Sequence, residues 1–281
     1  MSEVGGAPGR WSDLERPPLR AEVSRQVLED SRLWRELTVV AETGSTNADL
    51  AARAVAEDLA EGVVLTSDHQ AAGRGRIGRT WVAPARSGLA VSALLAPRDV
   101  ATARWSWVPL LTGLAVVDVL HRVCGLPATL KWPNDVLVGE AKISGVLVER
   151  VEAPSGPVLV VGTGLNVSLK ADELPVPTAT SLALEGSATT DREVLLRAYL
   201  RALEHRYGRW RSTGGDARAS DLAAAYRETC STIGRAVTVA VPSGATIEGT
   251  ADGIDDEGRL LVHDAAGRTH AVSAGDVTQV R

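Results

Sequence analysis

Residues 107–123, WVPLLTGLAVVDVLHRV, limit the folds open to this chain more than any other stretch. They are apolar on nearly every side rather than along one stripe, and a helix of that kind has to be buried all round. Pro109 falls near its first turn, where a missing N–H is tolerated. No stretch is read as a membrane span, which takes about 18 apolar residues or more, so the helix needs protein around it. With 281 residues, 44% of them apolar, the chain can supply that core as one large domain, with or without a small appendage.

The remaining elements fall on both sides of this helix. Residues 1–20, rich in Gly, Pro and Arg, read as a flexible leader, and a short helix follows up to about Trp34. A strand is expected at 37–41, then a turn at Gly44 and a helix. Thr46 and Asp49 have capping-box spacing there, and Leu50, Ala54 and Val55 form its buried stripe. Strands at 62–66 and 89–95 flank a loop at 70–88 that is long for a compact domain, and such loops are usually functional or disordered. A hairpin at 135–138 and 142–151 turns at Gly139 and Glu140, and a strand covers 158–167. After a Pro-rich loop at 172–180, Leu196, Tyr199, Leu200, Leu203, Tyr207 and Trp210 recur at helical spacing and read as core. A further helix spans 219–228. From 233 to 280 short Val-rich alternating segments are punctuated by turn signals, the pattern of a small β-barrel. The expected division is therefore 1–36, 37–230 and 231–281, with the last boundary near Ser231.

Charge narrows the function. Thirty-five acidic against 30 basic residues give a net charge of -5, which excludes the overall basic field of a non-specific nucleic-acid binder. Any anion site must be local. Cys124 and Cys230 lie far apart and outside metal-ligand spacings, so both read as core thiols. Arg10, Arg16 and Arg20 precede no apolar run, and the cytoplasm is the expected compartment. Of the 30 basic residues only three are lysine: Lys131, Lys142 and Lys170. In a chain that writes nearly every cation as Arg, each Lys raises the question of whether a compact point charge is required.

Five segments can carry chemistry. GRGRIGRTW at 73–81 packs three glycines and three arginines into seven residues, bringing backbone N–H groups and guanidiniums to an anion. It lacks the GK[ST] ending of a P-loop, and a solvated basic turn or an RNA-binding stretch has the same composition. KWPND at 131–135 places an amide and a carboxylate at a strand entry, suited to Mg²⁺ or a phosphate, or merely to bonding their own backbone. Lys142 opens KISG, where Gly145 interrupts an aliphatic strand as glycine does at a close ligand approach; Lys142 can equally be a solvated charge. GSTN at 44–47 can be a helix cap or a polar-ligand contact, and GTGLNV at 162–167 ends a strand with small residues.

Taken in chain order, GSTN, HQAAGRGRIGRTW, KWPND, KISG and GTGLNV resemble the signature of the biotin protein ligase family, closely over about residues 40–170 and extending to the C-terminal β-module. The resemblance implies an α+β fold: a mixed-sheet catalytic domain related to lipoate ligases and class II aminoacyl-tRNA synthetases, followed by a small SH3-like β-barrel. It implies a substrate, biotin, activated with ATP and Mg²⁺, and a partner, the biotin carboxyl carrier domain of acyl-CoA or pyruvate carboxylases. Ser45, Thr46, Asn47, Gln70, Gly73, Arg74, Gly75, Arg76, Lys142 and Gly145 would hold biotin. Arg76, Arg79, Trp81, Lys131, Asn134 and Asn166 would hold the nucleotide, Asp135 the metal, and Lys142, Arg76 and Arg74 would act in catalysis.

Such an enzyme joins two anions, the biotin carboxylate and the ATP α-phosphate, so cations must offset charge in the transition state and a cover must exclude water from the mixed anhydride. About 36 residues precede the family-like core, too few for the DNA-binding domain that some members carry, so a monofunctional ligase is expected. No nucleic-acid or membrane partner is expected, and the assembly is read as a monomer or weak homodimer. A lipoate or octanoyl ligase would share the fold without the GRGRIGRTW loop, and a DNA-binding regulator would need a basic face.

Overall fold

A computed structural model of the chain describes residues 15–20, 22–29, 31–241, 244–273 and 275–279. Most of the expected flexible leader lies outside these residues. Its described end, 15–20, is tied down. Arg16 pairs with Glu173 and donates to the Ser168 carbonyl, Arg20 pairs with Glu193, and the Leu19 N–H donates to Asp68 at 3.2 Å. For these residues flexibility was the wrong expectation, because each Arg meets a carboxylate far along the chain.

The elements run α1 (Glu22–Glu29), β1 (Glu36–Val40), α2 (Thr46–Glu57), β2 (Val63–Ser67), β3 (Gly88–Leu95), α3 (Trp107–Arg122), β4 (Ala128–Lys131), β5 (Asp135–Val138), β6 (Ala141–Ala153), β7 (Gly156–Asn166), α4 (Arg192–Ser212) and α5 (Leu222–Thr229). Then come β8 (Ala236–Ala240), β9 (Thr246–Ile254), β10 (Leu260–His263), β11 (Thr269–Val272) and β12 (Asp276–Gln279). The first seven strands form one mixed sheet, ordered β1-β2-β3-β7-β6-β5-β4, in which only β1 and β2 pair in parallel. The last five form an antiparallel sheet ordered β11-β10-β9-β8-β12, a meander whose final strand returns beside the first, as the expected SH3-like module requires.

Strand alternation gives the large sheet two coverings. Val91, Ala93 and Leu95 of β3 and Leu159, Val161 and Leu165 of β7 join the main core, with α3 and α4. Leu94, Val158 and Val160 point the other way, onto Leu50 and Ala54 of α2. Val55, expected in that stripe, is half exposed, because the narrow α2 contact needs only the Leu50/Ala54 side. The α2 cap also differs from expectation: Ser45 is the N-cap, its hydroxyl accepting from the Ala48 N–H, while Asp49 accepts from the Thr43 hydroxyl.

The apolar helix α3 is buried on nearly every side, as its composition demanded. Together with the preceding turn, Thr102–Arg122 is long and apolar enough to cross a membrane by length and composition, contrary to the sequence reading, but 72% of that window is buried inside the protein. Helix α4 buries all six of its periodic residues, and both cysteines are free and buried. Strand β4 was not anticipated. Four residues between a helix and a turn carry too little alternation to register.

Charge pairing sets a pH response. Hydrogen bonds from Arg16, Arg20 and Arg211 hold the Glu173, Glu193 and Asp99 carboxyls below the usual carboxylate range. A carboxyl whose folded value is depressed stabilises the fold above its unfolded value of about 4 and loses that contribution as pH falls through the folded value. The urea midpoint should therefore hold steady from pH 7 to 5 and fall continuously from pH 4 to 2. An Arg20→Gln variant should show a shallower fall, measured by circular dichroism.

Candidate functional site

One rung of the large sheet is paved with small side chains. Ser67 pairs with Ala90, Ala90 with Gly164, Gly164 with Gly145, and Gly145 with Asp135, so five adjacent strands present no bulky group on that rung. The indole of Trp81 lies on this shelf. A Cβ at Gly164 would stand 2.5 Å from its Cε2, and one at Gly145 3.3 Å from its Cζ3. Glycine is therefore required at 164 by close approach, as the interrupted strands suggested.

Above the shelf opens a cleft enclosing about 930 Å³, counted to its open mouth. Its lining includes Ser45, Thr46 and Asn47 from the start of α2, Gln70, Arg74, Gly75, Arg76, Arg79 and Trp81 from the long loop, Lys131, Asn134 and Asp135 from the β4–β5 turn, and Lys142 and Gly145 from β6. Four of the five sequence motifs thus meet in one cavity through their predicted residues. The fifth, GTGLNV, supplies Gly162, Thr163 and Gly164 as floor. Two predicted residues stand outside the lining. Gly73 lies behind it, where a Cβ would be 2.4 Å from the Trp81 carbonyl oxygen. Asn166 is buried, and its amide donates to the Thr180 carbonyl at 2.8 Å. Since the Thr180 N–H in turn donates to the Lys142 carbonyl, Asn166 braces the segment beside Lys142 rather than facing a nucleotide.

The long loop is more ordered than its length suggested. Gly75 N–H donates to the Arg79 carbonyl at 2.7 Å and Trp81 N–H to the Gly73 carbonyl at 2.8 Å, making a small hairpin that turns at Ile77 and Gly78, both with positive φ. Its arginines reach the cleft walls: Arg76 donates to Asn134 Oδ1 at 3.2 Å, and Arg74 lies 3.7 Å from Glu149. Lys142 Nζ sits 2.6 Å from Asp135 Oδ1 and 5.7 Å from the Trp81 ring centroid. That Asp135 oxygen is buried and makes no geometrically proper hydrogen bond in spite of the close ion pair, so the pair is electrostatic and poorly directed. Asn134 is oriented by donating to the Val146 carbonyl at 3.1 Å. Beneath the floor, Thr163 bonds Tyr199, whose hydroxyl is pushed up by burial.

Four participants escaped the sequence reading. Ser92, wholly buried on β3, lies 2.7 Å from Thr46 Oγ1 and 2.6 Å from Asn47 Oδ1. Glu149 accepts from Asn47 at 2.8 Å. A lone Ser or Glu within an alternating strand carries no local signal of this kind. Gly275 and Val277, from the C-terminal sheet, complete one side of the lining.

Five cations, a shelf with an aromatic cover, and a hydroxyl–amide group suit a ligand with one polar head and one anionic end. Comparison with known proteins agrees in kind. A family model described as the biotin/lipoate A/B protein ligase family matches residues 41–166, and one described as the biotin protein ligase C-terminal domain matches residues 232–278. The chain is 44% identical over 273 residues to the biotin--[acetyl-CoA-carboxylase] ligase of Mycobacterium tuberculosis, covering 96% of this chain and 98% of that one. It is 30% identical over 271 residues to the bifunctional ligase/repressor BirA of Bacillus subtilis, covering 95% and 79%. Its fold is similar to the biotin protein ligase of Aquifex aeolicus in complex with biotin and ATP, with a TM-score of 0.73, 27% identity and coverage of 88% and 100%.

A methyl group at Gly164 must displace the indole. Gly164→Ala should destabilise the protein by about 1–3 kcal/mol, as overpacking does. It should also speed tryptic cleavage at the loop arginines, and unchanged cleavage would mean that Trp81 does not hold the loop down.

Proposed function

Because the chain belongs to the biotin/lipoate A/B protein ligase family, we propose that its cleft is the active site of a biotin protein ligase. The enzyme activates biotin with ATP to biotinyl-5'-AMP and pyrophosphate, then transfers biotin to a lysine of the carboxyl carrier domain of an acyl-CoA or pyruvate carboxylase. The observation that carries this reading is the meeting of Lys142, Arg74 and Arg76 with the Thr46–Gln70 pair in one cavity. Ser45, Thr46, Asn47 and Gln70 take the polar head of biotin, Gly75 lets the loop backbone pass close to it, and Gly73 lets the hairpin close against Trp81. Gly145 leaves room for the Lys142 stem and the Trp81 indole, and the carboxylate end points to the cations. Arg79, Trp81, Lys131 and Asn134 belong to the nucleotide side.

In the first step a biotin carboxylate oxygen attacks the α-phosphorus while the bond to pyrophosphate breaks. Lys142 is a compact charge on a flexible stem that can turn from Asp135 to the approaching anions. Arg76, steered by Asn134, adds forked donors on the phosphate side, and Arg74 closes from the loop. Trp81 and the hairpin cover the mixed anhydride from water. In the second step the carrier lysine amine attacks the acyl carbon, and AMP leaves with the bonding electrons.

Mg²⁺ belongs to this reading as a cation brought by ATP, since a magnesium site needs few protein carboxylates when phosphates supply oxygens. Among the described residues no group of three His, Cys, Asp or Glu can hold a metal, and Asp135 is the carboxylate of the cleft lining, already 2.6 Å from Lys142. Asp135 therefore fits a supporting contact better than a resident metal centre. We also assign residues 37–230 to catalysis and 231–281 to a C-terminal module, supported by the second sheet starting at Ala236. The proposal further includes a cytoplasmic location and a monomer or weak homodimer.

Labelled biotin, ATP and a carrier domain should give ATP-dependent labelling of the carrier. Labelling of a lipoate carrier with lipoate instead would overturn the reading. Lys142→Arg should slow pyrophosphate release by on the order of 100-fold, the usual effect of losing a donor aimed at developing charge. A rate within threefold of the parent would remove Lys142 from that role.

A further inference from the structure

The polar wall of the cleft contains a proton deficit. Asn47 donates both ways from its Nδ2, to the Leu147 carbonyl at 3.2 Å and to the Glu149 carboxylate at 2.8 Å. Both are acceptors only, so the amide cannot flip and its Oδ1 must face Ser92. Gln70 is fixed likewise, because the Thr46 N–H donates to its Oε1 at 2.9 Å. Between these two anchored oxygens stand two hydroxyls and three contacts: Asn47 Oδ1 to Ser92 Oγ at 2.6 Å, Ser92 Oγ to Thr46 Oγ1 at 2.7 Å, and Thr46 Oγ1 to Gln70 Oε1 at 3.0 Å. Two hydroxyls own two protons, and one contact must go without.

Geometry decides which. Ser92 and Asn47 are buried, and two oxygens 2.6 Å apart with no hydrogen between them would carry the cost of an unmade buried bond, about 1–3 kcal/mol. The Thr46–Gln70 contact is the longest of the three, and Gln70 is the one residue of the four that is not buried. We propose that Ser92, oriented through Asn47 by Glu149, draws the Thr46 proton inward, leaving Thr46 and Gln70 as a pair of proton-free acceptors that select a ligand head bearing an N–H.

This inference rests on the ligase reading and deepens it. A cyclic urea carries N–H donors that fill the deficit. A dithiolane or a plain acyl chain carries none and would leave the Thr46–Gln70 oxygen contact without a proton. A site built around such a donor rejects an analogue without it far more strongly than apolar contacts discriminate. Ser92 lies outside the lining and acts through Thr46, which makes it a positioning residue for specificity.

The test compares kcat/KM for biotin with that for the two analogues in which one ureido N–H is replaced by ring oxygen. The parent enzyme should prefer biotin over at least one of them by roughly 100-fold or more. In Ser92→Ala the Thr46 proton is released to Gln70. The KM for biotin should then rise about tenfold with kcat within threefold, and the preference should shrink to about tenfold or less. Ser92→Thr, which keeps the hydroxyl, should restore the preference. Ser92→Cys, close to Ser in size and a weak donor, should give an intermediate value and serves if the alanine variant does not fold. Equal loss on biotin and analogues, with the preference intact, would show a merely structural Ser92 and overturn the proposal. A parent enzyme that activates biotin and its analogues equally would overturn it while leaving the ligase reading standing. A parent inert with biotin would instead remove the ligase reading and this inference together.

Discussion

The site depends on one steric condition, that five neighbouring strands carry Ser67, Ala90, Gly164, Gly145 and Asp135 on the same rung. Elsewhere on that face the sheet is filled by Leu94, Val158 and Val160 under α2. Where the large side chains stop, the backbone lies bare and an indole can settle on it. Trp81 brings with it the Gly/Arg hairpin, and the hairpin brings Arg74 and Arg76 to the walls. A single bulky side chain on this rung would lift the loop and separate the cations from the polar head site.

The sequence made much of this readable, for a definite reason. Motifs with odd chemistry, such as Gly/Arg alternation or a Lys among arginines, stand out against composition, and those residues converge except Lys170, which pairs with Glu15 away from the cleft. What escaped was of two kinds. Ser92 and Glu149 act through neighbours brought together by strand register, which spacing along the chain cannot display. Asn166, by contrast, drew notice as an amide in a small-residue stretch, yet its side chain satisfies the Thr180 carbonyl. The pinned segment 15–20 was missed for the first reason, since its carboxylate partners Asp68, Glu173 and Glu193 are all distant in the chain. Local errors were smaller. The cap at Ser45 and the exposure of Val55 are each displaced by one position from expectation.

Buried polarity in this protein is organised by acceptors that cannot reverse. Glu149 and the Leu147 carbonyl fix Asn47, and the Thr46 N–H fixes Gln70, so the hydroxyls between them have little freedom. Elsewhere in the lining the contact is one of net charge, with Lys142 beside Asp135 at 2.6 Å. One cleft thus combines a directional hydrogen-bonded cluster with a less directional ion pair.

Trp132 joins the two sheets in a way that its place in KWPND does not advertise. Its backbone N–H donates to the Thr232 hydroxyl at 3.0 Å, its indole N–H reaches the Gly258 carbonyl at 3.5 Å, and Asn134 and Asp135 follow two and three residues later. With Trp107 of α3 also donating to the Asp256 carbonyl, the β9–β10 turn is fastened both to the β4–β5 corner and to the buried helix. The two sheets are thus joined at the corner that carries Asn134 and Asp135, so disturbing the β9–β10 turn would disturb that side of the cleft as well.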